Sequence, residues 1–292
     1  MTDPLVRPCS PALDALLGRP MPALDHGFVR VIDYMGDDAA VVQAARVSYG
    51  EGTRAVREDR GLIRYLMRHR HTTPFEMCEL KLHVKLPVFV ARQWIRHRMA
   101  NVNEASARYS VMTREFYLPS PESVALQARD NKQGRGAAVD PHTAASFIEV
   151  LTNVSAQARE DYDGALEAGI ARELARIGLT LNTYTEWYWK IDLHNLLHFL
   201  RLRSDGHAQA EIRAYADVIG NVVEQWVPHT WGAWVEHVRD APRLSASAWR
   251  ALAGCLDPDA LAGALALLPE RERRETMAMI TAAWASRTGG AP

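Results

Sequence analysis

The alternation of hydrophobic and polar residues predicts strands in the front half of the chain. Residues 80–86 alternate apolar and polar side chains at a period of two, which is typical of a strand with one buried face. Pro87 ends this strand, and residues 88–98 continue with the spacing of a helix. Further elements are expected as a strand over 27–33 and as short helices over 37–47 and 62–70.

The back half of the chain has helical periodicity. From about residue 143 onward, the spacing of apolar residues predicts helices over 143–168, 170–178, 182–189, 193–203 and 207–226. Residues 119–142 are rich in Pro, Ser, Gly, Asp, Asn and Gln, and this composition predicts a surface loop. The sequence therefore predicts the α+β class, with a mixed strand-helix core and a largely helical C-terminal half in one intertwined unit.

Both ends of the chain are expected to lie outside this unit. Residues 1–25 contain five prolines, which predict an irregular N-terminal arm. Residues 239–292 are expected to form a helical extension with alanine-rich faces. The main domain is accordingly expected to cover residues 26–238.

Composition restricts the class of protein. With 48% hydrophobic and 24% charged residues, the chain of 292 residues can bury a full globular core. The net charge of −1 argues against a general binder of nucleic acids or membrane surfaces, so a basic site has to be local. No stretch approaches the roughly 20 apolar residues that span a bilayer, and the N-terminus has no signal-peptide pattern. Cys9, Cys78 and Cys255 form no Cys-x-x-Cys pair, which predicts free thiols in the cytoplasm.

A cluster of arginines is the strongest indication of chemistry. Residues 92–110 contain four arginines but only one acidic residue, Glu104. A solvated helix face would mix charges of both signs, whereas guanidinium groups bind phosphate or carboxylate through two parallel hydrogen bonds. The cluster therefore favours an anionic ligand. On charge alone, surface arginines at the end of a helix remain an alternative.

The order of residues within this stretch resembles a family signature. Arg96-His97-Arg98 is followed after seven residues by Ser106 and then by Arg108-Tyr109, as in the flavin-dependent thymidylate synthases. Every fixed position of that signature is matched except one, because Asn101 stands where the family usually has a serine. A motif with so many fixed side chains is highly specific.

Other segments extend the resemblance over about residues 26–238. Residues 203–211 are similar to the family's second signature, Arg-x-Asp-x-His-Ala-Gln-x-Glu. Residues 44–49 and 71–76 also recur in the family at these relative positions. Read without the family, the segment 71–76 is a turn that opens at Pro74.

The resemblance implies a reaction and its participants. It implies reductive methylation of deoxyuridine monophosphate (dUMP) to thymidine monophosphate (dTMP). In that reaction 5,10-methylenetetrahydrofolate supplies the carbon, FAD carries hydride and NADPH reduces the flavin. The resemblance also implies a homotetramer whose active sites lie where subunits meet. The cysteines lack the Pro-Cys-His context of flavin-free thymidylate synthases, so no covalent enzyme nucleophile is expected.

The resemblance further implies the residues of the site. Arg203 is the expected catalytic residue, because a cation beside the pyrimidine stabilises negative charge that develops when hydride reaches the ring. The dUMP-binding residues that it implies are Gln93, Arg96, Glu104, Ala105, Ser106, Ala107, Arg108, Arg176 and Arg203. The FAD-binding residues that it implies are Ser48, His71, Thr73, Glu76, Arg96, His97, Arg98, Asn103, Glu104, Asp192, His194, His198 and His207.

Two other classes stay open on the residues alone. His194 and His198 lie four residues apart, the spacing of two metal ligands on one helix face, as in a metal hydrolase. No recognisable third ligand accompanies them, so no metal site is assigned. A nucleic-acid-binding module would need aromatic residues among the arginines and a basic overall charge. Only Tyr109 meets the first demand.

Overall fold

The computed structural model of the chain describes residues 7–47, 56–129 and 134–288. The strands are β1 (Pro20–Ala23), β2 (Gly27–Met35), β3 (Glu79–Pro87), β4 (Ala100–Glu104), β5 (Ala125–Gln127), β6 (Arg135–Ala138) and β7 (Tyr184–Asp192). Five of them form an antiparallel sheet in the order β1-β2-β3-β7-β4, and β5 and β6 form a separate hairpin.

Helices account for most of the chain after β6. The helices are α1 (Pro11–Asp14), α2 (Asp38–Arg46), α3 (Val56–Arg68), α4 (Thr73–Glu76), α5 (Val88–Trp94), α6 (Pro141–Glu167), α7 (Arg172–Ala175), α8 (Leu193–Arg203), α9 (Ala210–Trp226), α10 (Pro228–Trp234), α11 (Ala246–Ala253), α12 (Pro258–Leu265) and α13 (Glu270–Thr288). A 3₁₀ turn over Arg176–Gly178 continues α7. An antiparallel sheet followed by a mostly helical half places the chain in the α+β class, as the sequence predicts.

The alternation along β3 gives the sheet two different faces. Leu80, Leu82 and Val84 are completely buried on one face. Lys81 and His83 alternate with them and lie on the other, more polar face. The expected half-buried strand over residues 80–86 is therefore confirmed.

Aromatic residues on the buried face pack α5 and α8 against the sheet. The ring of Trp94, at the end of α5, lies 5.2 Å from Trp189 of β7 and 4.8 Å from Phe199 of α8, measured between centroids. Tyr215 of α9 completes this cluster at 5.9 Å from Trp94. Large rings that pack in this way contribute much of the burial energy of a core. The cluster fixes the end of α5 against the last turns of α8.

The prediction of a helix over residues 182–189 is wrong, because most of these residues form β7. Trp187 and Trp189 are buried on one face of the sheet, whereas Glu186 and Tyr188 alternate with them on the other. Side chains with this period of two bury their apolar members only as a strand. The resulting strand lies between β3 and β4 in the five-stranded sheet.

Other elements also differ from the expected ones. The helix expected over residues 88–98 ends at Trp94 and is followed by β4. The N-terminal arm contains α1 and β1, and β1 occupies a sheet edge, where prolines are tolerated. The surface loop expected over residues 119–142 contains the β5–β6 hairpin.

The chain divides into two compact units between Arg239 and Asp240. The first contains both sheets and helices α1 to α10. The second consists of α11, α12 and α13, and within it Trp284 Nε1 donates a hydrogen bond of 2.7 Å to the Ala253 carbonyl. None of the described helices has the length and apolarity that a membrane crossing requires.

Candidate active site

The first signature is divided by the edge strand β4. Arg96 and His97 lie in the turn that follows α5, before the strand begins. β4 then pairs with β7 from Ala100, opposite Ile191, to Glu104, opposite Trp187. Ser106 and Arg108 lie in the turn after the strand. The Arg-His-Arg end and the Ser-x-Arg end of the signature therefore lie at opposite ends of β4.

The Ser-x-Arg end opens onto a cleft of about 840 Å³. This volume is within the usual range for sites that bind small molecules. The residues of the cleft that were expected to bind ligands are Asn103, Glu104, Ala105, Ser106, Ala107, Arg108 and Arg176. The cleft is also lined by threonines and apolar residues, including Ile177, Leu179, Thr180, Leu181, Thr183 and Thr185.

Hydrogen bonds hold the turn at Ser106 against β7. Thr185 Oγ1 donates to Glu104 Oε1 at 2.8 Å, and Ala105 N donates to the Glu186 carbonyl at 2.8 Å. The Ser106 carbonyl accepts hydrogen bonds of 3.0 Å from the backbone of Tyr109 and Ser110. Ser106 thereby lines the cleft from a fixed turn, within which its hydroxyl accepts a hydrogen bond of 3.4 Å from Arg108 N.

Arg108 and Arg176 bring two positive charges to this cleft. Both side chains are exposed, and neither forms an ion pair with an acidic residue in the described ranges. The Arg108 guanidinium lies 5.4 Å from the centroid of the Tyr109 ring. Arg172 Nη1 donates to the Tyr109 carbonyl at 2.8 Å, which ties α7 and the following turn with Arg176 to the same side. Two guanidinium groups without acidic partners suit a phosphate or carboxylate ligand.

Arg203 belongs to a second cluster and does not line the cleft. It is the last residue of α8, and its Nε donates to His97 Nε2 at 3.0 Å. Its Nη2 donates to the Gln93 carbonyl at 3.3 Å. The His97 ring lies 5.0 Å from Phe199 and 6.0 Å from His198, measured between centroids. Within one chain, neither Arg203 nor Gln93 is among the residues that line the cleft.

His97 serves this second cluster as a neutral hydrogen-bond acceptor. Burial, the charge of Arg203 and the neighbouring His198 lower the pKa of His97 to about 4. At neutral pH its Nε2 therefore carries a lone pair toward Arg203. Burial also lowers the pKa of Arg203, although a guanidinium stays charged in proteins. The result is a fixed cation beside a neutral imidazole.

The end of the second signature is a buried polar network. Glu211 is only 2% exposed, and its carboxylate forms an ion pair with Arg135 of the β5–β6 hairpin. The Tyr117 hydroxyl donates to Glu211 Oε1 at 2.9 Å. Two residues earlier, the side chain of Gln209 accepts a hydrogen bond from Gln93 Nε2. The second signature therefore contacts Gln93 of α5, the residue whose carbonyl also accepts from Arg203.

Residues expected to bind flavin are distributed on α4 and α8. α4 carries Thr73 and Glu76 and packs against α8, which carries His194 and His198. His71 directly precedes this region, and its backbone N donates to the Leu66 carbonyl at 2.9 Å.

The remaining residues expected to bind flavin have varied surroundings. Arg96 and Arg98 are exposed in the turn after α5. Asp192 caps α8, because its carboxylate accepts from the backbone and the side chain of Asn195 at 2.9 and 2.8 Å. His207 is exposed, and its Nδ1 lies 2.8 Å from Oδ1 of Asp205. Ser48 lies outside the described residues.

Comparison with known proteins identifies the family. The family model described as Thymidylate synthase complementing protein matches residues 30–229. A flavin-dependent thymidylate synthase of Gluconobacter oxydans (strain 621H) is 57% identical over 280 residues, which cover 95% of this chain and 92% of the relative. The chain belongs to the flavin-dependent thymidylate synthase family. A member from Wolbachia pipientis wMel is 59% identical and covers 80% of this chain and 82% of its own length. The expectation from the two signatures is confirmed, and the chain is an enzyme of this family.

Solved structures agree with this assignment. The crystal structure of a UMP/dUMP methylase, PolB from Streptomyces cacaoi, bound with 5-Br UMP, has a TM-score of 0.68 and 33% sequence identity. The similarity covers 75% of this chain and 99% of that structure. The structure of the same methylase bound with 5-Br dUMP has a TM-score of 0.69 and 31% identity, with 76% and 100% coverage. The fold of this flavin-dependent thymidylate synthase is thus shared with a methylase of pyrimidine nucleotides.

The sequence did not predict the threonines that line the cleft or the contact between Gln209 and Gln93. Thr180, Thr183 and Thr185 line the cleft because β7 starts there, and β7 was not expected. Gln209 and Glu211 are fixed positions of the second signature, yet no role followed from their spacing. Their presence in the signature was the signal that could have singled them out.

Proposed function

We propose that residues 26–238 catalyse the FAD- and NADPH-dependent methylation of dUMP to dTMP, with 5,10-methylenetetrahydrofolate as the carbon donor. The observation that carries the proposal is the cleft lined by Ser106, Arg108 and Arg176, whose two guanidinium groups have no ion pair with a described acidic residue. The names of the relatives and the pyrimidine nucleotides in the similar structures support the same substrate class.

Residues of the cleft suit the sugar phosphate of the nucleotide. A nucleotide monophosphate carries a dianionic group that guanidinium groups bind through paired hydrogen bonds. Arg108 and Arg176 supply the charge, and the Ser106 hydroxyl supplies a further donor at the same turn. We assign the phosphate and sugar to these three residues and to the adjoining residues Glu104, Ala105 and Ala107.

Arg203 suits the pyrimidine. Its side chain is partly buried and is held by His97 and the Gln93 carbonyl. A cation whose position is fixed before the reaction stabilises developing charge without having to reorganise. We therefore assign Arg203 to the negative charge that forms on the ring during hydride transfer, with Gln93 and Arg96 beside the base.

The chain also offers residues that fit FAD. Arg96 and Arg98 are exposed and have no ion pair with a described acidic residue, which suits the diphosphate of FAD. His71, Thr73, Glu76, His194 and His198 lie on or beside the packed pair α4 and α8 and provide rings and hydrogen-bonding groups. Hydride transfer is the chemistry that FAD supplies when bound. Protein residues would then bind, orient and polarise the substrate. The remaining members of the proposed set are Ser48, His97, Asn103, Glu104, Asp192 and His207.

No cysteine is positioned to act as a nucleophile. Cys9, Cys78 and Cys255 are free, and none of them lines the cleft. Cys78 is buried, and burial together with Asp37 and Asp38 raises the pKa of its thiol to about 12. A thiol with that pKa is protonated at neutral pH and reacts poorly. We therefore propose a mechanism without a covalent enzyme intermediate, in the cytoplasm, where free thiols persist.

The division of the site supports catalysis between subunits. In one chain the cleft contains Ser106, Arg108 and Arg176, whereas Gln93 and Arg203 lie in the other cluster. We infer that one dUMP contacts both groups when a second copy of the chain supplies the other half of the site. We propose that the cleft of one subunit faces the Arg203 cluster of another, in a homotetramer with closed symmetry.

An apolar surface beside the cleft supports this assembly. Phe147, Val150 and Val154 recur on one face of α6 and are 50%, 60% and 54% exposed. Ile177 and Leu181, on the rim of the cleft, are 74% and 67% exposed. α6 packs against α7 and the turn after it, so these residues lie in one region. An exposed apolar surface of this kind marks an interaction site, and a second copy of the chain is the occupant we propose.

A spectrum and an assay test the proposed function. The purified protein should show the blue absorbance of oxidised FAD, and dUMP should accelerate its oxidation of NADPH. With 5,10-methylenetetrahydrofolate present, dTMP should form, and omission of the folate should abolish dTMP. A colourless protein that cannot be reconstituted with FAD, or a flavoprotein that forms no dTMP, would refute the proposal. A metal hydrolase or a nucleic-acid-binding module would contain no flavin.

A further inference from the structure

Arg172 links the two segments that bring arginines to the cleft. It is the first residue of α7, and its Nη1 donates a hydrogen bond of 2.8 Å to the Tyr109 carbonyl. Tyr109 directly follows Arg108, and Arg176 begins the 3₁₀ turn that continues α7. The hydrogen bond of Arg172 therefore joins the segment that carries one guanidinium of the cleft to the segment that carries the other.

The chain after Tyr109 is fixed separately, by α6. Arg159 of that helix donates from Nη1 to the carbonyls of Met112 and Thr113 at 2.7 and 2.8 Å. The side chain of Arg159 is only 12% exposed, so this anchor belongs to the interior of the unit. Arg172 is exposed instead. Loss of its side chain should therefore leave the fold intact and free the Tyr109 carbonyl alone.

Arg108 and Arg176 have like charges in one cleft, and neither has an ion pair with a described acidic residue. Like charges repel each other, and an anion bound between them removes that repulsion. A ligand that has to draw the two side chains together loses part of its affinity to the cost of ordering them. A hydrogen bond that fixes their backbone segments before the ligand arrives reduces this cost.

We propose that Arg172 is a positioning residue that holds Arg108 and Arg176 in place for the phosphate of dUMP and thereby raises the affinity for the nucleotide. The inference rests on the proposed function, which assigns this phosphate to the cleft. Arg172 itself is not among the residues that line the cleft. Its effect on the ligand therefore passes through the other two arginines and not through a contact of its own.

The test measures the dissociation constant of dUMP with the flavin-loaded oligomer, by calorimetry without folate or NADPH. Arg172→Met keeps an aliphatic side chain but removes the donor to Tyr109. We expect the dissociation constant to rise about tenfold, because two guanidinium groups then have to be ordered by the ligand. In the complete assay, KM for dUMP should rise by a similar factor, whereas kcat should stay within about twofold of wild type.

A double-mutant cycle separates positioning from a direct effect of the lost charge. In an Arg176→Ala background no pair of arginines remains to be held, so Arg172→Met should change the dissociation constant by less than about twofold. A charge that acts on the phosphate through space would keep its full effect in that background. Arg172→Lys keeps the charge and a donor, and it should recover at least part of the affinity.

Arg114 supplies a matched control. It lies five residues after Tyr109, is 77% exposed and pairs with Asp163 at 3.0 Å. Arg114→Ala removes an exposed positive charge from the same segment without touching the link to α7, so its dissociation constant for dUMP should stay within about twofold of wild type. Arg172→Gln, whose side chain is shorter and uncharged, replaces Arg172→Met if the methionine variant does not fold.

Each result either supports or overturns the inference. An unchanged dissociation constant in folded, flavin-loaded Arg172→Met overturns it and leaves the proposed function standing if the wild type forms dTMP. An equal loss in the Arg176→Ala background overturns it, as does an equal loss in Arg114→Ala. A fall in kcat with an unchanged KM also overturns it. Wild-type protein that does not bind dUMP refutes the proposed function and the inference with it.

Discussion

Mixing two inactive variants tests whether each site is built by two subunits. Arg176→Ala damages the cleft, and Arg203→Ala damages the other cluster, because Arg176 lines the cleft and Arg203 does not. In a shared site, the cleft of one chain works with the Arg203 cluster of its neighbour. A chain with Arg176→Ala and a chain with Arg203→Ala can then form one intact site between them.

The expected recovery of activity follows from the fraction of sites that are intact. If the two variants are co-expressed equally and assemble at random, an intact site needs its cleft from one variant and its second cluster from the other. Each requirement is met half of the time, so about a quarter of all sites are intact in a symmetric oligomer. Thymidylate formation should therefore return to about a quarter of the wild-type rate, well above either variant alone. The assay is dTMP formation per flavin-loaded subunit.

A matched control uses two arginines from the same cleft. Arg108 and Arg176 both line it, so a mixture of Arg108→Ala and Arg176→Ala contains no cleft with both arginines. This mixture should recover no activity. If the mixture of Arg176→Ala and Arg203→Ala also fails, although mass spectrometry proves that mixed oligomers form, both clusters serve one chain's site and the shared-site reasoning is refuted. Recovery in the control mixture would show that the cleft itself is assigned incorrectly.

Other perturbations give further expectations. Arg203→Ala should lower turnover by about 100-fold or more while FAD is retained, since a charge-stabilising donor is lost; near-normal turnover with full flavin absorbance would contradict its role. Simultaneous replacement of Cys9, Cys78 and Cys255 by Ser should leave turnover within about tenfold of wild type, and inactivity of a folded, flavin-loaded variant would restore a thiol mechanism. The pKa of His97 is about 4 in the folded protein and 6.5 ordinarily, so the unfolded state binds more protons as pH falls through this window. Because the ring is only partly buried and solvent screens it, its contribution should lower the free energy of unfolding by about 1 kcal/mol between pH 7 and pH 5. Urea unfolding of His97→Gln should lack that loss, and an identical pH dependence in the variant would contradict the neutral histidine.

The strands show where sequence patterns succeed and where they fail. β3 was predictable because apolar and charged residues alternate along it without interruption. β7 was not recognised because Tyr188 stands on its polar face and breaks the apolar–polar alternation. β4 has asparagines and a terminal glutamate, which have low strand propensity. Its structure comes from pairing with β7, a tertiary contact that no local pattern encodes.

For the candidate site as well, the sequence predicted some features and not others. An anionic ligand for the first signature was predicted from its arginines, a prediction that needs no knowledge of the fold. That Arg176 joins Arg108 in one cleft, while Arg203 joins His97, depends on how α7, α8 and β4 are placed around β7. The contact of Gln209 with Gln93 likewise joins segments that are far apart in the sequence. Spacing along a chain predicts neighbours within one helix or strand, but not between elements.

β4 sets the distance between the two ends of the first signature. Its five residues rise about 3.3 Å each, so the strand spans about 16 Å between the Arg-His-Arg and Ser-x-Arg ends of the signature. Asn101 is exposed and faces Lys190 across the ladder, where backbone pairing tolerates different side chains. The asparagine at position 101 therefore changes one exposed side chain of β4 but not the length of the strand. Deletion of a single residue would shorten the span and turn every following side chain to the opposite face.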